Sequence, residues 1–160
     1  MNDFPHTLKI VTVWLLAGLL VFLGHQAWRS HAERTRFVVQ AGTIEIRRAP
    51  DGHYHWPGRV NGAAVDFLVD TGATSTALPQ ALADRVGLEA VGRITSMTAA
   101  GRVQGTLAHA DVELDGGIQA QRLRVAVLPG LGAPLLGMDV LGRMRFSQGD
   151  GVLRLQAPPP

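Results

Sequence analysis

The residues best suited to chemistry lie in one short segment, residues 67–74, which reads Phe-Leu-Val-Asp-Thr-Gly-Ala-Thr. The apolar run predicts a strand, and the acid that follows it, Asp70, is expected at the strand's end in a tight loop. A carboxylate in such a place costs free energy unless it is hydrogen-bonded or used in a reaction. Gly72 is expected to give the loop backbone angles closed to other residues and to let another chain approach. Asp70 is therefore a candidate for acid–base chemistry; the alternative is an acid that caps its own turn.

The chain carries this loop once. The second half repeats the order of turn, strand, glycine-containing loop and short helix, but residues 128–130 read Leu-Pro-Gly where the first half has Asp-Thr-Gly. Two carboxylates that share one proton can activate a water and protonate a carbonyl oxygen. Two full charges about 3 Å apart repel by roughly 5 kcal/mol at an effective dielectric of 20, so one acid stays protonated. A pair of such acids would require two chains on a two-fold axis.

Other groupings of reactive residues have weaker support. His53 and His55 would share one strand face, but a metal site needs a third ligand, so we interpret them as an exposed strand before a turn. Ser75 and His109 lack the nucleophile-elbow pattern of a serine hydrolase. Asp139 is interpreted as a local helix or packing acid. We therefore predict no metal site.

The composition narrows the possible classes of protein. The chain has 160 residues, a formal net charge of +2 and no cysteine, which suits one modest domain plus an appendage. The absence of cysteine excludes disulfides and thiolate metal sites. The arginines are scattered singly or in pairs without interleaved aromatic residues, so we predict no nucleic-acid binding. We also predict no cofactor.

An apolar segment near the amino terminus predicts a membrane anchor. Residues 10–23 are apolar except for Thr12, and extension to residue 28 gives about the 20 residues that a spanning helix needs. A cleaved signal peptide is the stronger alternative, although its cleavage pattern is poor, and a buried soluble helix is the other. The predicted organisation is a short N-terminal tail at 1–9, a transmembrane anchor at 10–28, a linker at 29–36, a domain at 37–156 and a Pro-rich tail at 157–160.

The domain pattern is mostly β. Asn61-Gly62 lies between apolar runs and predicts a hairpin with a type I′ turn, whose second strand leads into Asp70. A helix beginning near Pro79 is expected to be capped by Thr76 or a neighbour and to end at Gly87. Further hairpins, a second short helix and a last strand are expected at residues 94–107, 110–128, 137–144 and 152–155.

Two motifs together resemble the retropepsin-like aspartic peptidases. They are Asp-Thr-Gly-Ala-Thr at residues 70–74 and Leu-Leu-Gly-Met-Asp-Val-Leu at 135–141, with a flap-like hairpin between them. The chain is most similar to the bacterial membrane-anchored branch, over about residues 40–156. The resemblance implies an all-β fold: a single-lobe closed β-barrel with two short helices, here preceded by one transmembrane helix. It also implies a homodimer.

The resemblance also implies roles for individual residues. Asp70 would be the catalytic acid, Thr71 would interlock with the same residue across the dimer, and Gly72 would offer its backbone to substrate. The strand at 152–155 would contribute to the dimer interface. Substrate-binding positions would be Ala73 and a flap hairpin over the cleft, with Ala99, Ala100, Gly101 and Arg102.

One departure concerns the dimer. Thr74 and Met138 stand where retroviral members have an acid and an arginine that form an ion pair, so a dimer would be held in another way. Leu135 and Leu136 are expected in the core beside the acid loop.

The sequence thus predicts a membrane-anchored, homodimeric aspartic endopeptidase that hydrolyses peptide or protein substrates through a water activated by two copies of Asp70. One alternative is a catalytically weak or inactive peptide-binding module on the same fold, and another is a metal-dependent hydrolase that uses the histidines. We expect a single-pass protein of a bacterial inner membrane. The basic residues flanking the anchor favour a cytoplasmic domain, three against one, whereas the short amino terminus favours a periplasmic one, which we prefer.

Overall fold

A computed structural model of the protein describes residues 6–34, 37–40, 42–98 and 101–156. The chain divides into two compact units, Met1–Arg36 and Phe37–Pro160. Helix α1 spans His6–Arg34 and so includes residues 29–34, which the sequence pattern assigns to a linker. Within the described ranges, no helix has the length and apolar character that crossing a membrane requires. The hairpin tip at Ala99 and Ala100, most of the predicted N-terminal tail, the end of the linker and the Pro-rich tail lie outside the described residues.

The second unit is built almost wholly of strands, which confirms the predicted all-β class with two short helices. Its described elements are β1 (Phe37–Gln40), β2 (Thr43–Arg47), β3 (His55–Val60), β4 (Ala63–Val69), β5 (Ala77–Pro79), α2 (Gln80–Arg85), β6 (Gly92–Thr98), β7 (Gly101–Leu114), β8 (Ile118–Leu128), β9 (Leu135–Leu136), α3 (Met138–Leu141), β10 (Arg145–Gly149) and β11 (Val152–Gln156).

Six strands close into a ring in the order β3-β4-β9-β5-β8-β7, because β7 also pairs with β3. Strand β7 is one strand of 14 residues, where the sequence pattern predicted two separate hairpin strands. Residues 112–114 of β7 pair with β3 and residues 101–107 pair with β6. A register shift between Ala110 and Val112 lies between these two segments. Bulges of this kind bend a strand and let it turn a corner.

A separate sheet has the order β1-β2-β11-β10. Strand β11 lies inside this sheet, paired with β2 on one side and with β10 on the other. Strand β10 is an edge strand, and each of its residues is exposed.

The barrel interior is filled by large apolar side chains. The Trp56 side chain is fully buried, and its indole Nε1–H donates a 2.8 Å hydrogen bond to the carbonyl of Asp115. Each such side chain contributes about 1.5–3 kcal/mol through burial. Other core residues with no more than 1% of their surface exposed include Phe67, Leu78, Leu136, Leu141 and Leu155.

The turn and the helix ends near the acid loop agree in part with the sequence predictions. Asn61 and Gly62 have φ values of 47° and 82°, which confirms the expected turn between β3 and β4. Helix α2 ends before Gly87, as expected, and Gly87 has a φ of +66°. The proposed capping role of Thr76 is wrong. Pro79 occupies the N-cap without a side-chain hydrogen bond, and the Thr76 hydroxyl is used elsewhere.

Candidate active site

Asp70 lies where β4 ends, and its backbone is held from two sides. Strand β4 runs parallel to β9, pairing Val69 with Leu136. The Val69 N–H donates to the carbonyl of Tyr54 at 2.9 Å, and the Asp70 N–H donates to the carbonyl of Leu136 at 3.0 Å. Leu136 is fully buried, as predicted for a core residue beside the acid loop. The main chain at the acid is therefore anchored to the barrel core.

The loop after Asp70 folds back on its carboxylate. The Gly72 N–H donates a 2.8 Å hydrogen bond to Asp70 Oδ1, so the acid does cap its own turn. The second carboxylate oxygen has no hydrogen-bond partner in the part of the chain that the structure describes. Gly72 does not have a positive φ, so the expectation of special backbone angles is wrong. A Cβ there would lie 3.2 Å from Asp70 Oδ1, so the glycine instead leaves space beside the acid.

A cleft of about 920 Å³ opens in front of this loop. It is lined by the acid loop, by β6, and by the loop at residues 128–132 that links β8 to β9. The corresponding loops of the two halves thus meet at one cleft. Among the described residues that line it, Asp70 is the only acid. One chain therefore supplies one carboxylate to this site, as the sequence comparison of the two halves predicts.

Helix α3 holds the acid loop through its backbone. The Met138 N–H donates to the carbonyl of Ala73 at 2.8 Å, and the Asp139 N–H donates to the carbonyl of Thr74 at 3.1 Å. The segments that contain Thr74 and Met138, which lack the retroviral ion pair, are therefore linked through main-chain hydrogen bonds. Gly137 permits this approach, because a Cβ there would lie 2.5 Å from the backbone carbon of Ser75.

The Asp139 side chain braces the segment that follows the acid loop. Its carboxylate accepts hydrogen bonds from the Thr76 N–H at 3.0 Å and from the Thr76 hydroxyl at 2.9 Å. Thr76 is fully buried, and its Oγ1 also accepts the Gly137 N–H at 3.3 Å. The interpretation of Asp139 as a local packing acid fits these contacts. The sequence did not show that its partner lies 63 positions earlier.

The residues predicted to bind substrate or to interlock across a dimer lie in different places. Ala73 and Gly72 line the Asp70 cleft. Thr71 is exposed and lines another cavity, of about 70 Å³. Gly101 and Arg102 begin β7 and are not among the residues that line the cleft. The described hairpin residues that do line it, which sequence reasoning missed, are Ile94, Thr95, Ser96, Met97, Thr98 and Val103.

The histidine pair does not form a metal centre in the structure. His55 Nε2 lies 2.7 Å from Asp51 Oδ2, and His55 Nδ1 lies 3.0 Å from Asp66 Oδ2. The pKa of Asp51 lies below its ordinary value because its carboxylate accepts the His53 N–H and then also contacts His55. The described residues include no group of three or more His, Asp or Glu side chains arranged to hold a metal ion. The imidazole of His55 is instead engaged by two carboxylates.

The serine–histidine alternative has no geometric support. Ser75 lines the Asp70 cleft, whereas His109 lies on β7, opposite Arg124 of β8. His109 is not among the residues that line the cleft.

Several known proteins are similar to this chain. A crystal structure of a retropepsin-like aspartic protease from Rickettsia conorii is similar to this chain, with 26% identity and a TM-score of 0.58, covering 76% of this chain and 95% of that one. An uncharacterized protein of Rickettsia prowazekii (strain Madrid E) is 29% identical over 82 residues, and one from the cobV 5′ region of a Sinorhizobium species is 30% identical over 139 residues. These alignments cover 51% and 84% of this chain but 36% and 56% of those relatives.

A family model described as gag-polyprotein putative aspartyl protease matches residues 56–143. The match covers more than half of the chain and includes the Asp70 loop and the α3 segment that holds it. The closed β-barrel with few short helices fits a retropepsin-like fold. The chain therefore belongs to the gag-polyprotein putative aspartyl protease family.

Proposed function

We propose that the protein is an aspartic endopeptidase in which Asp70 acts together with Asp70 of a second copy. The observation that carries this proposal is the position of Asp70 as the only acid among the described residues that line the cleft. One carboxylate in the ionised form would take a proton from the attacking water. The protonated partner would donate to the carbonyl oxygen, and the pair would later protonate the leaving nitrogen.

The cleft suits an extended peptide. Strand β6 and the start of β7 form a hairpin beside it, and Met97 on this hairpin has 77% of its surface exposed. A substrate bound as an added strand between this hairpin and the acid loop would be covered when the hairpin closes. The backbone of Gly72 lies next to the carboxylate, where it would contact the substrate near the reacting bond.

The second copy would meet the side of the domain that carries Thr71. Strand β11 is already paired on both sides, so residues 152–155 would contribute to an interface through side chains rather than through a free backbone edge. The edges of this sheet are β1 and β10, and β10 follows α3 and carries Phe146, which is 40% exposed. Thr71 and Phe146 line one cavity with Tyr54, whose buried hydroxyl has no hydrogen-bond partner within the described ranges. These features support a partner at β10.

The test is cleavage of a mixed peptide library across pH 3 to 8 by the full chain and its Asp70→Asn variant, each at several concentrations. We expect the variant to lose turnover and the wild type to gain activity faster than linearly with protein concentration. Glu89→Gln is the matched control, since it removes an exposed carboxylate that lines neither the Asp70 cleft nor the Thr71 cavity. Cleavage retained by Asp70→Asn would refute the catalytic role, and activity strictly linear with concentration would refute the shared site.

A peptide-binding module without turnover is the second candidate. It is favoured by Thr74 and Met138, which leave the acid loop without the retroviral ion pair. This candidate predicts a folded dimer that binds peptides, cleaves none at any pH, and keeps its affinity when Asp70 is replaced by asparagine.

We also propose that α1 attaches the protein to a bacterial inner membrane, with the domain on the periplasmic side. The support is the exposed apolar surface of α1, where Trp14 and Phe22 have 73% and 63% of their surface exposed. A continuous apolar surface of this kind marks an interaction site. The full chain should float with lipid vesicles and the Leu16→Glu/Leu20→Glu variant should not. Equal flotation would refute the attachment, and protease digestion of spheroplasts would test the side.

A further inference from the structure

A second groove, of about 610 Å³, lies next to the Asp70 cleft. Ser75 and Ile94 line both, so the two spaces adjoin at these residues. An extended peptide with its central residues in the Asp70 cleft would therefore place residues toward one end in this second groove. The groove accordingly belongs to the surface that a long substrate would contact.

The charge of the groove is predominantly positive. Its lining includes three arginines, Arg122, Arg124 and Arg143, and one acid, Asp139. The Asp139 carboxylate already accepts the hydrogen bonds of Thr76. Two of the three arginines lie on β8, and Arg143 follows α3 and donates through Nε to the backbone carbonyl of Asp139 at 3.0 Å.

Among the described residues, none of these arginines has an acidic partner within salt-bridge distance. The salt bridges among the described residues join His55 to Asp51 and Asp66, and Arg154 to Glu45. All three groove arginines are exposed. Their guanidinium groups are thus available to a ligand, and guanidinium is the side-chain group best matched to a carboxylate, which it can bind through two parallel hydrogen bonds.

An irregularity in β8 places two of these side chains in the groove. Arg122 has a φ of 50°, and its backbone N–H donates to Asp111 Oδ1 at 2.7 Å, beside the register shift of β7. Along β8 the in–out alternation slips here, so Gln121 and Arg122 are both exposed, Leu123 is buried and Arg124 is exposed again. Bulges re-aim side chains in this way.

We infer that this groove binds acidic side chains of a peptide whose central residues occupy the Asp70 cleft, so that the protein selects substrates with Asp or Glu several positions from the scissile bond. The inference rests on the proposed function and narrows its substrate class. A nucleic acid fits less well, because the described residues that line the groove include no aromatic side chain for base stacking.

The experiment measures binding, so that it does not depend on turnover. The full-length Asp70→Asn variant is titrated against dye-labelled peptides that are acetylated and amidated, which removes the charges of their termini. Each peptide has an apolar six-residue centre flanked on both sides by two glutamates or by two glutamines. The glutamate peptide should bind roughly three- to tenfold more tightly, and the difference should shrink in 0.5 M salt.

The decisive variant is Arg122→Gln/Arg124→Gln in the same background, in which the preference for glutamate should fall below about twofold. Arg59→Gln/Arg85→Gln removes the same charge from residues outside both spaces and should keep the preference. Equal affinity for the two peptides, no binding of either, or a preference unchanged in the groove variant would overturn the inference. Polyuridylate that displaces the glutamate peptide, and whose own binding is lost in Arg122→Gln/Arg124→Gln, would also overturn the inference, in favour of a nucleic-acid site.

Cleavage of the same two peptides by the wild-type chain separates this inference from the proposed function. If neither peptide is cut but the glutamate preference in binding persists, the peptidase proposal fails and the groove assignment stands. If both are cut at equal rates and bind equally, the groove assignment fails and the peptidase proposal stands.

Discussion

Asp139→Ala should strongly destabilise the domain, because it removes the acceptor for two donors of a buried residue. Thr76 is fully buried, and both its N–H and its hydroxyl donate to Asp139 at 2.9 to 3.0 Å. A buried donor left without a partner costs about 1–3 kcal/mol. The third group that donates to Asp139, the Val140 N–H, also contacts the carbonyl of Gly137 at 3.2 Å and keeps that partner. Two orphaned donors therefore set the expected loss at about 2–6 kcal/mol.

The assay is urea unfolding of the full chain in a Trp14→Phe/Trp28→Phe background, followed by far-UV circular dichroism and by the fluorescence of Trp56, which is then the one tryptophan left. Asp139→Asn keeps one carbonyl oxygen as an acceptor and should lose about 1 kcal/mol. Asp84→Ala removes an exposed acid from α2 and should stay within about 0.5 kcal/mol of wild type. In the Asp139→Ala background, Thr76→Val should cost little more. An Asp139→Ala loss no larger than that of Asp84→Ala would refute the bracing role.

Two further predictions concern the stability of variants at Gly137 and Asp51. Gly137→Ala should destabilise the domain by more than about 2 kcal/mol, since its Cβ would meet the backbone of Ser75 at 2.5 Å; an unchanged thermal midpoint would contradict this close approach. Asp51→Asn should lower stability at neutral pH. Because the folded-state pKa of Asp51 lies below its ordinary value of 3.8, the carboxylate stabilises the fold above that value and loses this effect as the pH falls through the folded-state pKa. Unfolding curves of the two proteins should therefore converge in acid, and a constant gap from pH 7 to pH 3 would contradict the charge effect.

The features predicted correctly from sequence are those encoded by neighbouring residues. The turn at Asn61-Gly62 follows from backbone conformations that this pair favours, and the position of Asp70 follows from an apolar run that stops at a polar loop. The end of α2 before Gly87 is of the same kind. Each of these depends on fewer than about ten consecutive residues, so the local pattern carries the information.

The features that were missed depend on contacts between distant parts of the chain. The Asp139–Thr76 brace joins residues 63 positions apart, and strand β9 has two residues that gain their strand conformation by pairing with β4. The single strand β7 has two different partners on one edge, which no periodicity reveals. Such outcomes are set by packing, which overrides local pattern.

The anchoring of the acid loop bears on how a shared site would be assembled. The loop is tied to Leu136, to Met138 and, through Thr76, to Asp139, and each of these contacts lies within one chain. The carboxylate of Asp70 is therefore positioned before any second copy arrives. A partner would have to supply a second carboxylate and cover the Thr71 side, but it would not have to reshape the first loop. Assembly of the proposed dyad would then cost little reorganisation, which is the condition under which a modest interface can support catalysis.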